Sequence, residues 1–330
     1  MRPCQLAFPM SLDRRGFLQQ AGATLTLGAL SGLAPANIQA AAPTNSRRRR
    51  VLRAAHLTDI HVGPENHASE GLVTVLRHAQ AQLDKPELLL FGGDCIGDAL
   101  WTPKAQVMTQ WEIWRKAIAE EVKTPAGYCI GNHDIFGWNQ HDDPQLPHDP
   151  IFGKAYAMEC LGLKERYYSF DRAGWHFVVL DSMERNRAGE QGYIARLDDE
   201  QFAWLERDLA ATSVATPVCV LSHIPILGAA AFLDGDNATT GTWVVPGAWM
   251  HIDARRLKDL FHKHPNVKVC LSGHLHMEDD LTYLGVRYLC NGAVCGGWWK
   301  GRHQEFRPAY ALLDFYDDGS VENQLVSWQA

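Results

Sequence analysis

Five short polar clusters interrupt the apolar runs of this 330-residue chain, and they hold the side chains best suited to chemistry. They are "TDIHVG" with Asp59 and His61, "FGGDCIGD" with Asp94, "CIGNHD" with Asn132, His133 and Asp134, "VLSHIP" with His223, and "LSGHLH" with His274 and His276. A single such residue is most simply a cap or turn residue. Five apolar runs that each end in a carboxylate, an amide oxygen or an imidazole are a ligand set. Two metal ions about 3.5 Å apart repel each other and require a carboxylate able to bridge them, with imidazoles and an amide oxygen in the remaining positions. Asp94 is the natural bridge. Asp59 and His61, alternating by two, bring both side chains to one strand end. The Gly-Gly and Gly-Asn turns let the backbone approach the ions closely.

The elements that must position these residues alternate. "VLRAAHL" reads as a strand, "EGLVTVLRHAQAQL" as an amphipathic helix with apolar positions at Leu72, Val75, Leu76 and Leu83, and "ELLLF" as a second strand. "PKAQVMTQWEIWRKAIAEEV" opens a helix at Pro103, and "AGYCI" is a third strand. In the second half "WHFVVL", "PVCVL" and "NVKVCL" are buried strands, with helices over "DDEQFAWLERDLA", capped by Asp198, and "HIDARRLKDLFHKH". From Leu281 onward the pattern changes to antiparallel strands and a hairpin at Asp318-Gly319. With no dividing linker after residue 50, residues 51–330 read as one α/β domain whose chemistry lies at strand C-terminal ends.

The order D-x-H, G-D, G-N-H-D, a lone His and G-H-x-H, spanning residues 55 to about 277, resembles the calcineurin-like metallophosphoesterase superfamily. The resemblance implies a four-layer αββα sandwich with two mixed sheets. It implies one metal held by Asp59, His61, Asp94 and His276, and a second held by Asp94, Asn132, His223 and His274. The implied ions are iron, manganese or zinc, and no tyrosine in the first block suggests the coloured iron site of purple acid phosphatases. In the implied reaction a hydroxide between the metals attacks phosphorus, His133 protonates the leaving oxygen, and Asp134 orients His133. "GNHD" in place of "GNHE" leans toward phosphodiesters, with phosphomonoesters as the alternative. A catalytically silent metal-binding module is the competing class, and the intact His133-Asp134 pair speaks against it. The H-x-H-x-D-H block that a metallo-β-lactamase needs is absent, as is any Ser or Cys nucleophile motif.

Specificity is open from the sequence. Trp138, His141 and Asp142, in the segment after "CIGNHD", are candidate substrate contacts or a solvated excursion. Trp243 and Trp249 in the 224–250 loop, and the tryptophans of "GAVCGGWWKG", are either core filler or a stacking platform. Lys300 and Arg302 are placed to attract a phosphate.

The N-terminus reads as an address. Arg14 and Arg15 precede Phe17-Leu18 and a weakly apolar stretch, which resembles a twin-arginine export signal over residues 1–40. Gln19, Gln20 and the glycines at 16, 22, 28 and 32 dilute it below the apolarity of a membrane span. Cleavage near Ala40 or Ala42, or retention as an anchor, are both open. The expected destination is the periplasm or the exterior, and the expected partners are the export machinery and a small phosphoester. Residues 41–50, ending in the basic run Arg47 to Arg50, are expected to form a solvated, disordered arm. Loss of residues 1–40 removes three positive charges and one negative, taking the formal charge from −7 to −9. That balance provides no basic footprint for nucleic acid. Eight cysteines, seven after cleavage, show no zinc-finger or haem spacing and name no disulfide.

Overall fold

The computed structural model describes residues 48–140, 143–235, 238 and 241–329. Strands β1 (Arg50–Leu57), β2 (Leu88–Phe91) and β3 (Ala126–Tyr128) run parallel, and the tail adds β12 (Ala309–Tyr316) and β13 (Val321–Ser327), giving the order β13-β12-β1-β2-β3. A second sheet has the order β10-β11-β9-β8-β5-β4, built from β4 (Tyr168–Arg172), β5 (Trp175–Val179), β8 (Val218–Leu221), β9 (Val267–Ser272), β10 (Glu278–Tyr283) and β11 (Val286–Asn291). Its four central strands are parallel and its two edges antiparallel. A small ribbon pairs β6 (Met183–Arg185) with β7 (Tyr193–Ala195).

Side-chain alternation makes these sheets face each other. In β1, Leu52 and Ala54 enter a core shared with Cys219 and Leu221 of β8, while Ala55 and Leu57 point the other way. There they meet helices α1 (Ala68–Gln80) and α2 (Lys104–Glu121) through Leu72, Val75, Leu76, Val107, Trp111 and Trp114. In β8, Val218 and Val220 face outward to α4 (Asp199–Ala211) and α5 (Ala254–Lys263), meeting Phe202, Leu205, Leu257 and Phe261. The result is the expected four-layer αββα sandwich. A short α3 (Ala155–Leu161) packs beside α2. Removing a buried anchor such as Trp111 would cost about 3–5 kcal/mol.

Two local expectations are corrected. Helix α1 ends at Gln80, before Leu83 can join its apolar stripe, and Leu83 is fully exposed. The end of the basic run is ordered: Arg50 begins β1, its guanidinium pairs with Asp84 and Asp314, Arg48 pairs with Glu322, and the Arg49 amide donates to Asp317. The reason is topological. β12 lies against β1, which brings the acidic turn and edge of the C-terminal hairpin beside the arginines. The signal assigned to residues 1–40 and the first part of the arm lie outside the described residues, as do His141 and Asp142. No helix among the described residues is long and apolar enough to cross a membrane.

Candidate metal centre

Every expected ligand follows the C-terminal end of a parallel strand: Asp59 and His61 after β1, Asp94 after β2, Asn132 after β3, His223 after β8, and His274 and His276 after β9. Both sheets therefore deliver ligands to one edge of the sandwich. Five of these residues have left-handed backbones, with φ of 53° at Asp59, 48° at His61, 51° at Asp94, 71° at His274 and 56° at His276. Such conformations cost on the order of 1–3 kcal/mol each outside glycine. They are held by bonds between the loops: the His61 amide donates to Asp94 O at 2.9 Å, Asp59 N to Gly93 O at 3.1 Å, and Gly273 N to His223 O at 3.0 Å. Glycines permit this crowding. A Cβ at Gly273 would fall 2.0 Å from Asp59 Oδ2, and one at Gly131 would fall 2.1 Å from Asp94 Oδ1.

The polar atoms converge around Asp94. Its Oδ2 lies 3.5 Å from His61 Nε2 and 3.2 Å from His223 Nε2, while its Oδ1 accepts the His133 amide at 2.8 Å. On one side, Asp59 Oδ1 is 3.5 Å from His276 Nε2 and 3.9 Å from His61 Nε2. On the other, Asn132 Oδ1 is 3.1 Å from His223 Nε2, and His274 joins Asp94 and His223 in a group with metal-ligand spacing. All seven residues come together around Asp94.

The donor chemistry fits metal ions. His61, His223 and His276 each direct Nδ1 at a backbone carbonyl, of Gly97 at 3.3 Å, Gly92 at 2.8 Å and Gly296 at 2.6 Å. With Nδ1 donating to a carbonyl, each ring turns its Nε2 toward the centre, the usual outer support of a ligating histidine. His61 Nε2 and His276 Nε2 stand 3.1 Å apart with Asp59 Oδ1 3.5 Å from the latter, a spacing that a proton can fill and that a metal ion would fill in its place. His274 Nδ1 is buried with no hydrogen-bond partner, which suits a nitrogen reserved for a metal. Burial lowers His61 and His274 to about 3, which keeps both imidazoles neutral and able to donate. Burial disfavours protonation of His223 as well, but the Asp94 carboxylate outweighs it and raises that imidazole to about 9. Two buried carboxylates, Asp59 and Asp94, thus create a strong demand for positive charge.

His133 stands at the edge of this centre, its ring 4.9 Å from that of His61. The expected partner is corrected here. Asp134 turns back within a 3₁₀ turn (Asn132–Asp134), where its Oδ1 accepts the Cys95 and Ile96 amides and its Oδ2 the Gly131 amide. Burial, with the charge of Asp94, pushes it up to about 7. The residue that meets His133 is Asp98, with Oδ1 3.0 Å from Nδ1. Asp98 is itself fixed by Leu100 N, Trp101 N and the Thr102 hydroxyl, while the buried Gln110 of α2 clasps its backbone at both N and O. Burial works against a charged His133, but Asp94 and Asp98 outweigh it and raise its pKa. Position four after Asp94 in "GDCIGD" was the only sequence signal for Asp98.

The tryptophans divide between the two readings. Trp298 lies over His61 with ring centres 4.0 Å apart, and Trp249 lines the cavity of about 190 Å³ above the centre. Trp299 is structural, its indole N–H donating to His61 O at 3.0 Å. Trp138 is buried under Lys154, and Trp243 is exposed. Lys300 and Arg302 do not line that cavity. The seven described cysteines are all free, with Cys129, Cys219 and Cys270 buried among apolar strands as small hydrophobes.

A model of the calcineurin-like phosphoesterase family matches residues 52–278. A probable cyclic nucleotide phosphodiesterase of Synechococcus sp. (strain WH7803) is 27% identical over 76% of this chain and 85% of its own length. A 3′,5′-cyclic adenosine monophosphate phosphodiesterase of Escherichia coli (strain K12) is 22% identical over 83% of this chain and 89% of its own length. Among solved structures, a dimetal phosphatase from Danio rerio superposes with a TM-score of 0.57 at 12% identity, over 85% of this chain and all of that one.

Proposed function

The chain belongs to the calcineurin-like phosphoesterase family and hydrolyses phosphoester bonds in a metal-dependent reaction; from that premise we propose that it is a phosphodiesterase working over two metal ions at the centre around Asp94. The carrying observation is Asp94 Oδ2 lying between His61 Nε2 at 3.5 Å and His223 Nε2 at 3.2 Å. Asp59, His61, Asp94 and His276 would hold one ion, and Asp94, Asn132, His223 and His274 the other. When bound, such ions supply Lewis acidity to the phosphoryl oxygens and lower the pKa of water. Mixed carboxylate and imidazole donors suit iron, manganese or zinc.

The chain's own residues do the rest. His133 in its charged form, with Nδ1–H donated to Asp98, would give its Nε2 proton to the leaving oxygen and be left as the neutral imidazole. Asp98 holds the ring's orientation and favours its charged form. Asp134 fixes the turn that carries Asn132 and His133 by capping three amides. Diester preference is supported by the cyclic nucleotide phosphodiesterases among the relatives. The chain is further proposed to be an exported protein whose residues 1–40 are a twin-arginine signal read by the export machinery.

The test is a panel of cyclic nucleotides, linear diesters and monoesters with added manganese, run on the wild type and Asp94→Asn. The reading requires diester hydrolysis that falls at least about a thousandfold in the variant, the scale of losing a central electrostatic group. Monoester turnover alone would move the assignment to a phosphatase. Unchanged turnover in Asp94→Asn would sink the centre.

A further inference from the structure

Trp298 and Trp299 are successive bulky residues with left-handed backbones, at φ of 56° and 62°. Each costs on the order of 1–3 kcal/mol, so something must impose the conformation. Trp299 is the clamp. Besides its bond to His61 O, its ring lies against Gly71, where a Cβ would come within 2.1 Å of it, and packs on Trp328 with centres 5.8 Å apart. With Trp299 anchored, Trp298 is delivered over the histidines, its ring centre 4.0 Å from His61, 5.1 Å from His133 and 5.7 Å from His276. It is nonetheless 40% exposed. Trp101, 47% exposed, also stands beside His133, with centres 6.0 Å apart. Two large aromatic rings are left half in water next to the proposed proton donor.

Trp298 is also the wall between two cavities. One, of about 190 Å³, opens on Asp94, His133 and His274. The other, of about 320 Å³, is lined by Gly63, Pro64, Asn66, Asp98 and Thr102. Among the described residues lining either cavity none is Lys or Arg, and the charged ones away from the metal centre are Glu65, Asp98 and Asp234. A substrate with a second phosphate would meet carboxylates there. An uncharged flat group would meet an aromatic face, and carboxylate and amide oxygens at its edge suit the N–H groups of a heterocycle.

We propose that Trp298, with Trp101, is a specificity-determining platform on which a planar, uncharged heterocyclic base of the substrate stacks beside His133. This rests on the phosphodiesterase reading and deepens it. The platform selects diesters carrying one phosphate and a nucleoside-like group over polyphosphates and over diesters of aliphatic polyols.

Two measurements on wild type, Trp298→Phe and Trp298→Leu decide it. Equilibrium dialysis gives the affinity for adenosine, which has no phosphate and needs no chemistry. Kinetics give the ratio of kcat/KM for 3′,5′-cyclic adenosine monophosphate to that for sn-glycero-3-phosphoglycerol, in which any general damage to the metal centre cancels. Trp298→Leu should lose about tenfold in both, within the range for stacking a base on an aromatic ring, while Trp298→Phe stays within about threefold of wild type. Trp101→Leu repeats the comparison if Trp298→Leu does not fold. Adenosine affinity and a selectivity ratio that are equal in the Phe and Leu variants would overturn the proposal. Adenosine binding that follows the ring, in a protein that hydrolyses neither ester, would leave the platform standing and sink the phosphodiesterase reading instead.

Discussion

His133 has to deliver a proton to an alkoxide, and its capacity to do so is set by the side chain behind it. Asp98 is 3.0 Å from Nδ1, whereas both oxygens of Asp134 are spent on backbone amides. The two aspartates should therefore fail differently. Asp98→Asn keeps the fold but should slow hydrolysis of an alkyl diester by about a hundredfold or more, the usual scale of general-acid catalysis. With 4-nitrophenolate as the leaving group, which departs without a proton, the loss should shrink to a few fold. Asp134→Asn should instead lower the unfolding midpoint, since the Gly131 amide would face a side-chain NH2 in place of a carboxylate oxygen. Equal losses of Asp98→Asn on both esters would refute the assignment. The choice between these aspartates was not legible from sequence. Adjacency favours Asp134, and only the 3₁₀ turn, which directs its carboxylate back to residues 95, 96 and 131, rules it out.

Between elements, charge holds the outer helix to its sheet edge. His176 of β5 meets Asp171 of β4 at 2.7 Å through Nδ1 and Asp208 of α4 at 2.9 Å through Nε2. Two acceptors demand two ring protons, so the imidazolium is the bound form. The Asp208 hydrogen bond, helped by Asp171 and opposed by burial, raises its pKa. A raised folded-state pKa stabilises fully below the unfolded value of about 6.5 and is lost as pH climbs through the folded one. His176→Gln should thus cost about 1–2 kcal/mol at pH 5.5, the scale of a charge-assisted hydrogen bond, and much less at pH 9, as read from urea midpoints. An equal cost at both pH values would contradict it. The strands themselves could be read directly from their apolar runs and polar ends. Which sheet each joined could not, and for that reason the partners of Arg48 and Arg50 on the C-terminal hairpin were missed.

At the scale of the whole molecule, two sheets that share an inner core converge their strand ends on one site, and the N-terminal segment is proposed to send the protein across a membrane. If residues 1–40 are a twin-arginine signal, replacing Arg14 and Arg15 with lysine should leave the protein in the cytoplasmic fraction while its activity there is intact. An unchanged periplasmic yield would remove the proposal. The seven proposed ligands could be picked out because each closes an apolar strand run within a few residues of its end. The Trp298 platform could not, because it depends on Trp299 packing against Gly71 and Trp328 from distant parts of the chain.

Two ions sharing the Asp94 carboxylate is the proposal on which the rest depends. It is tested most directly by an anomalous difference map from crystals of the manganese-reconstituted protein. Two peaks are expected flanking Asp94, one among Asp59, His61 and His276 and the other among Asn132, His223 and His274. A single peak, or peaks away from Asp94, would contradict it.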